Sequence, residues 1–119
     1  STVLTIDDIE TLGIDKTLEI ALEVAWKGAS AVYLSFDIDS VDAGFVPGTG
    51  WPEPGGYLPR EALALLRGIA KEGIAAMEVV EVAPPYDISD ITALLAVRAM
   101  MDTLATLVKY DRIGGKLES

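Results

Sequence analysis

Three aspartates follow an apolar run near the middle of the chain. Ala31–Phe36 (AVYLSF) ends in Asp37, and Asp39 and Asp42 come directly after. Residues two apart on a strand point to the same side, so Asp37 and Asp39 are expected to converge at its carboxyl end. Two carboxylates that close repel each other unless a cation lies between them. The pair therefore predicts a site for a hard divalent ion such as Mg²⁺, Mn²⁺ or Ca²⁺, with Asp42 orienting a ligand from behind.

A second interpretation of these aspartates is purely structural. Short acidic side chains often accept hydrogen bonds from the backbone of a turn, so Asp37, Asp39 and Asp42 could simply cap the loop that follows. That loop contains the stretch PGTGWPEPGG, which lacks the lysine and the glycine spacing of a phosphate-binding loop. Trp51 lies in its middle, and an indole at such a position usually covers something. The loop is therefore predicted to form the wall of a site.

A second acidic pair lies in another apolar run, Ile74–Val82, which predicts a strand closed by Pro84 and Pro85. Glu81, near its carboxyl end, is predicted either to hold a cation such as a guanidinium or to form an ion pair with Arg98. For Glu78 the structural interpretation is favoured, since a carboxylate in an apolar strand needs a partner.

Composition limits the chemistry that this chain can perform. The 119 residues are half apolar, enough for one small domain, and include neither histidine nor cysteine. Thiol chemistry is thereby excluded, a cytoplasmic location is expected, and any catalysis must use carboxylates or groups supplied from elsewhere. The formal charge of −10 argues against nucleic acid as a partner and is compatible with cationic substrates or metals. No apolar run long enough for a membrane span is expected.

Strands and helices are predicted to alternate along the chain. Thr2–Leu4 is expected to be extended, and the predicted helices are listed in order: Asp7–Leu12, Ile14–Lys27, Pro59–Lys71 and Ile91–Val108. Asp90 is predicted to cap the last helix, and Gly114 and Gly115 to begin a polar tail within residues 112–119. This alternation favours a parallel α/β sheet covered on both faces. Two strands make a poor sheet, so the chain is expected to be part of a larger domain.

The motifs occur in an order that resembles a known family. SFDID followed by Asp42, then PGTG-x-PEPGG, REAL, VVEVAPPYD and DITALLA, is similar to the ureohydrolases, the arginase/agmatinase family, over about residues 5–107. The agmatinase branch is the more similar one. The resemblance implies a three-layer α/β/α arginase-type fold with a mostly parallel sheet, of which residues 1–119 would form the C-terminal part. It also implies a trimer or hexamer.

The family's activity assigns roles to these residues. Its members release urea from a guanidino compound and use two divalent metals, usually Mn²⁺, that activate a hydroxide. By resemblance, Asp37 bridges both metals, Asp39 binds one, Asp42 supports the motif and Glu81 binds the guanidinium of the substrate. Ni²⁺ or another divalent metal would be compatible with the same ligands.

Two departures from the family pattern qualify these roles. The remaining metal ligands of the family, two histidines and two aspartates, belong to motifs that precede SFDID and are not in this sequence. The chain alone is therefore expected to bind metal weakly and to turn over nothing. Trp51 replaces a threonine beside the guanidinium and Ala43 replaces a proline, which indicates a guanidino acid or a very small guanidine compound as the substrate rather than agmatine.

Two other classes of function compete with this one. A phosphatase of the haloacid dehalogenase type also has a strand that ends in D-x-D and would release phosphate. A truncated, non-catalytic homologue would serve assembly or regulation, and the coding sequence upstream of Ser1 decides between it and the enzyme. An unpaired sheet edge and uncovered apolar faces further predict that the chain associates with itself.

Overall fold

A computed structural model of the protein describes residues 1–113. The predicted tail from Gly114 onward lies outside these residues. Four helices and two strands follow one another in the order α1 (Ile6–Leu12), α2 (Ile14–Trp26), β1 (Tyr33–Asp37), α3 (Pro59–Glu72), β2 (Ala76–Val80) and α4 (Ile91–Lys109). Short 3-10 helices, Ile38–Ser40 and Pro84–Tyr86, follow β1 and β2. The predicted alternation is confirmed, except that Thr2–Leu4 forms no strand.

The two strands pair in parallel, from Tyr33 opposite Ala76 to Asp37 opposite Val80. One face of the pair packs onto α3 and α4 through a core that includes Phe36, Leu66, Ala96 and Ala99. On the other face, Tyr33 is 58% exposed, and Ser35 and Glu78 are exposed as well. This face is therefore uncovered in residues 1–113, as expected for a chain that forms part of a larger domain.

The helix ends follow local rules at most positions. Thr5 forms a capping box with Asp8 at the start of α1, and Gly73, at φ 95°, ends α3 in a conformation that favours glycine. Asp90 is an exception. It occupies the N-cap position of α4, as predicted, but it has φ 60° and its side chain makes no capping hydrogen bond. Asp87 supplies the capping hydrogen bonds, since its carboxylate accepts from the backbone N–H groups of Thr92 at 3.0 Å and Ala93 at 3.0 Å.

Replacing Asp87 with alanine is expected to lower the melting temperature by about 4–8 °C, as loss of a helix cap does in a domain of this size. Burial acts to raise the pKa of Asp87, but hydrogen bonds from Ala93, Thr92 and Ile88 outweigh it and hold the pKa below 3.8. In the unfolded chain the carboxyl has its ordinary pKa of 3.8. Its contribution to the free energy of unfolding is therefore fully present above pH 3.8 and is lost as the pH falls through the lower pKa of the folded state. Thermal unfolding monitored by circular dichroism between pH 2 and 7 measures both effects. Asp90→Ala is the matched control, and an equal loss for the two variants would contradict the assignment.

The last helix, α4, is long and apolar enough to cross a membrane by length and composition, with a mean hydropathy of 1.6. The prediction that the chain has no such run is wrong by this criterion. A third of this apolar stretch is buried inside the domain. Arg67 of α3 bonds to Asp102 of α4 at 2.8 Å and so connects the two helices, and Arg98 bonds to the same carboxylate at 2.7 Å from within α4.

Candidate metal and substrate site

Asp37 and Asp39 come together at the carboxyl end of β1, but not through strand alternation. The strand ends at Asp37, and the chain turns at once into the 3-10 helix Ile38–Ser40. The backbone N–H of Asp39 donates to Asp37 Oδ1 at 3.1 Å, and the hydroxyl of Ser40 donates to the backbone oxygen of Asp37 at 2.7 Å. Ile38 between them is fully buried and anchors the turn in the core. The predicted convergence is confirmed, and its cause is this turn.

Three other carboxylates act on Asp39 at this edge of the sheet. Burial and the negative charge of Asp37 raise the pKa of Asp39, and the charges of Glu81 and Glu53 add to the effect. A raised pKa means that the anionic form of Asp39 is disfavoured by like charges until a cation is supplied. Glu53 was missed in the sequence interpretation. Its only sequence signal is its place in the loop opened by the aspartates, because nothing local indicates that the loop folds back onto Asp39.

Glu81 lies one residue beyond β2, and its φ of 66° is in the left-handed region. The prediction that it belongs to the strand is therefore wrong. A positive φ is costly for a residue with a side chain and is often found at functional sites. Because Val80 pairs with Asp37, this turn directs Glu81 to the strand end where the aspartates lie.

The structural alternative for Glu81, an ion pair with Arg98, is wrong. Arg98 bonds to Asp102 on its own helix, and Glu81 is exposed. Glu78 behaves as the structural interpretation predicted, since its carboxylate accepts a hydrogen bond from Ser35 at 2.8 Å across the strand pair. The two glutamates thus differ in their surroundings, one held by the sheet and the other available to a cation.

Asp42 holds the two ends of the loop together. Its Oδ1 accepts from the N–H of Gly44 at 2.8 Å, and its Oδ2 accepts from the N–H of Gly55 at 2.7 Å. These bonds hold the pKa of Asp42 below its ordinary value. The capping interpretation is therefore confirmed for this aspartate, and any support that it lends to a metal acts through the loop.

The loop is fixed along its length to the elements beside it. A parallel bridge joins Val41 to Tyr57, and an antiparallel bridge joins Thr49 to Val82. The N–H of Ala83 donates to the oxygen of Gly48 at 2.7 Å. A Cβ atom at Gly56 would lie 2.5 Å from the backbone oxygen of Ser40. Only glycine therefore lets the end of the loop pass this close to the backbone of Ser40.

Trp51, at the turn of this loop, is 72% exposed. Its indole covers no surface among residues 1–113, so the prediction that it covers something stays a prediction. The bridge between Thr49 and Val82 joins this part of the loop to the segment that carries Glu81.

The donor set fits part of a metal site. Within residues 1–113, no group of three or more Asp, Glu, His or Cys side chains is arranged to hold a metal ion. Asp37 and Asp39 offer hard oxygen ligands of the kind that Mn²⁺ and Mg²⁺ accept, and no lysine or arginine contributes to the shift at Asp39. The residues therefore suit a divalent cation that takes its remaining ligands from outside the described residues.

Comparison with known proteins assigns the family. The model of the arginase family matches residues 1–105, nearly the whole chain. The chain belongs to the arginase family. Its agmatinase-like character agrees with the curated relatives, of which putative agmatinase 3 of Schizosaccharomyces pombe is 40% identical over 106 residues, covering 89% of this chain and 26% of that protein. Guanidinopropionase of Pseudomonas aeruginosa is 38% identical, with 90% of this chain and 33% of that protein covered.

The fold of this arginase-family chain agrees with solved structures. Proclavaminate amidinohydrolase of Streptomyces clavuligerus superposes with a TM-score of 0.82 at 40% identity, over 91% of this chain and 35% of that one. The chain is thus a partial α/β domain of the arginase fold and spans about a quarter to a third of the length of these relatives. The match over these motifs leaves the phosphatase interpretation without support.

Proposed function

We propose that this chain supplies part of the active site of an amidinohydrolase that converts a guanidino compound to urea and an amine. The observation that carries the proposal is the meeting of Asp37, Asp39 and Glu81 at the carboxyl ends of two parallel strands. Open α/β sheets place their ligands at this edge. The names of the relatives, which include an agmatinase and a guanidinopropionase, support the class of substrate.

In this proposal Asp37 and Asp39 hold divalent metal, with Mn²⁺ the expected ion. When bound, a metal pair supplies a hydroxide at neutral pH and stabilises negative charge that develops on the substrate. Asp37 lies at the strand end, where its carboxylate accepts from the N–H of Asp39, and Asp39 follows the buried Ile38, so the turn that carries both carboxylates is fixed before a metal arrives. Such preorganisation reduces the reorganisation needed at the moment of reaction.

Glu81 is proposed to bind the guanidinium group of the substrate. A planar guanidinium matches the two oxygens of a carboxylate, and such charge-assisted pairs are stronger than neutral hydrogen bonds. The exposed position of Glu81 and its freedom from Arg98 leave its carboxylate available. Its role is to fix the guanidino carbon beside Asp37 and Asp39, where attack occurs.

Trp51 is proposed to restrict the substrate. A large indole in this loop narrows the space beside the guanidinium, or offers its face to the cation. The polypeptide from the complete coding sequence is expected to prefer guanidinobutyrate or free guanidine to agmatine. Trp51→Thr is expected to shift the preference toward agmatine by about 10-fold or more, as for pocket contacts elsewhere. Urea release from the three compounds measures both, and a clear preference of the unaltered enzyme for agmatine would contradict the proposal.

A non-catalytic homologue with an assembly or regulatory role is the second candidate. It is favoured by the metal site, to which the described residues contribute two strong ligand candidates and no complete set. The coding sequence upstream of Ser1 distinguishes the two: motifs of the form G-G-x-H and D-A-H-x-D support the enzyme. A trimer or hexamer and a cytoplasmic location are further proposals that rest on the family resemblance and on the absence of cysteine.

A further inference from the structure

Thr92 is a fully buried polar residue in the first turn of α4. Its hydroxyl oxygen accepts a hydrogen bond at 2.8 Å from the backbone N–H of Gly48, which lies 44 residues earlier in the chain. A hydrogen bond between the Thr92 side chain and Asp87 is one of the causes that lower the pKa of the Asp87 carboxyl. Because a buried N–H that loses its acceptor is costly, the hydroxyl of Thr92 fixes the loop at Gly48.

Gly48 in turn holds the segment that follows Glu81. Its backbone oxygen accepts from the N–H of Ala83 at 2.7 Å, and its neighbour Thr49 pairs with Val82 in an antiparallel bridge. Gly48 thus bonds on both sides, through its N–H to α4 and through its oxygen to the segment after β2. The position of the segment after β2 therefore depends on the contact between the loop and α4.

Glu81 lies between two anchored residues. Val80 before it pairs with Asp37 in the sheet, and Val82 after it pairs with Thr49 of the loop. The φ of 66° at Glu81 is costly for a residue with a side chain, and such a conformation persists only where its surroundings impose it. The sheet holds the chain before Glu81 and the loop holds the chain after it, so the two together impose the turn at Glu81.

We infer that Thr92 is a positioning residue for Glu81: by holding Gly48, it fixes the direction in which the Glu81 carboxylate meets a guanidinium. The inference rests on the proposed function of Glu81. Because Thr92 is fully buried, it acts on a substrate only through the loop. The start of α4 does not need the hydroxyl, since Asp87 already accepts from the backbone N–H groups of Thr92 and Ala93.

Urea release by the polypeptide from the complete coding sequence tests the inference. Thr92→Val removes the hydroxyl, keeps the size of the side chain and is expected to lower kcat/KM by about 10- to 100-fold, as a small misplacement of a binding group does. Metal content should not change. Thr92→Ser keeps the hydroxyl and is expected to restore most of the loss. Thr103→Val is the matched control, because Thr103 is similarly buried on the same helix and its hydroxyl has no hydrogen-bond partner within residues 1–113.

A double substitution shows whether Thr92 acts through Glu81. In the Glu81→Gln background, Thr92→Val is expected to lower kcat/KM by less than about 3-fold, because the carboxylate that the loop positions is no longer present. A merely structural role for Thr92 would give the same loss in both backgrounds and would overturn the inference. A loss that Thr103→Val or Thr92→Ser shares would also overturn it.

Gly48→Ala tests the same contact from the loop side, should Thr92→Val fail to fold. A Cβ atom at Gly48 would lie 2.7 Å from Cγ of Asp87, so the loop must move. The loss of kcat/KM in Gly48→Ala is expected to shrink in the Glu81→Gln background in the same way. Equal losses in the two backgrounds would overturn the inference.

Crystal structures of the variants give a readout that needs no turnover. In Thr92→Val the backbone of Glu81 is expected to leave the left-handed region, whereas in Thr103→Val it is expected to keep a φ near 66°. An unchanged Glu81 backbone in Thr92→Val would overturn the inference.

The failure of this inference and the failure of the proposed function give different results. A large loss in Glu81→Gln together with full activity in Thr92→Val would leave the proposed function intact and overturn the inference alone. Absence of urea release from the unaltered polypeptide, or full activity of Glu81→Gln, would contradict the proposed function and overturn the inference with it.

Discussion

Mn²⁺ added to the 119-residue chain is expected to broaden the backbone amide NMR signals of Asp37–Ser40, Glu53 and Glu81 before those of other acidic residues. The reason is that Asp39 already experiences the charges of three carboxylates, so a cation that binds there relieves the most repulsion. Binding should be weak, since the described residues supply only part of a coordination sphere. Asp37→Asn and Asp39→Asn should each reduce the affinity by more than about 10-fold, because even residues behind metal ligands can have effects of that size.

A matched control separates this site from the general acidity of the chain. Asp15 lies in the first turn of α2, and Asp15→Asn removes one negative charge just as Asp37→Asn does. Broadening that Asp15→Asn leaves unchanged, and that EDTA reverses, would support a specific site. Equal effects of the two substitutions, or broadening spread evenly over all acidic residues, would show that Mn²⁺ senses only the net charge of −10.

Glu81→Gln is expected to lower kcat/KM for urea release by about 30- to 3000-fold in the polypeptide translated from the complete coding sequence. Removing one partner of a buried, hydrogen-bonded charge pair costs about 2–5 kcal/mol, and a substrate guanidinium in the closed site would lose such a partner. The amide keeps the size of the side chain but replaces one acceptor oxygen by a donor. The loss should appear with metal content unchanged, since Glu81 is assigned to the substrate and Asp37 and Asp39 to the metal.

Glu78→Gln is the control for this experiment. Glu78 lies on the same segment, but its carboxylate bonds to Ser35 on the uncovered sheet face. Its replacement should change kcat/KM by less than about 3-fold, as is usual for surface substitutions. If Glu81→Gln retained full activity, or released metal as Asp37→Asn does, the assignment of Glu81 to the guanidinium would be wrong.

Local sequence signals predicted the helices and much of the order of the site. Gly13, Pro59 and Gly73 mark helix ends through glycine and proline preferences that act within a few residues. The D-x-D pair after an apolar run predicted a carboxylate site at a strand end. These features depend on neighbours in sequence, which is why they could be recognised without a fold.

The predictions were least accurate where the backbone conformation of a turn or the closure of a loop decides the geometry. Asp87, and not Asp90, provides the capping hydrogen bonds of α4, because the turn after Pro85 brings its carboxylate to the backbone N–H groups at the helix start. Glu81 lies outside the strand because its backbone takes a positive φ. Glu53 lies near the other carboxylates because Asp42 holds the two ends of the loop together. Of these, the position of Glu53 depends on a contact between separated segments, the hydrogen bond from Gly55 to Asp42.

The sequence by itself determined the type of chemistry: hard carboxylate ligands, no thiol or imidazole, and a set of arginase-family motifs in order. The tertiary structure decided which carboxylates meet and that Arg98 pairs with Asp102 rather than with Glu81. It also decided that one sheet face and several apolar side chains of α4 stay exposed in residues 1–113. The physical reason is that residue type sets what a side chain can bind. Its partners, however, are chosen by packing and loop closure over the whole domain.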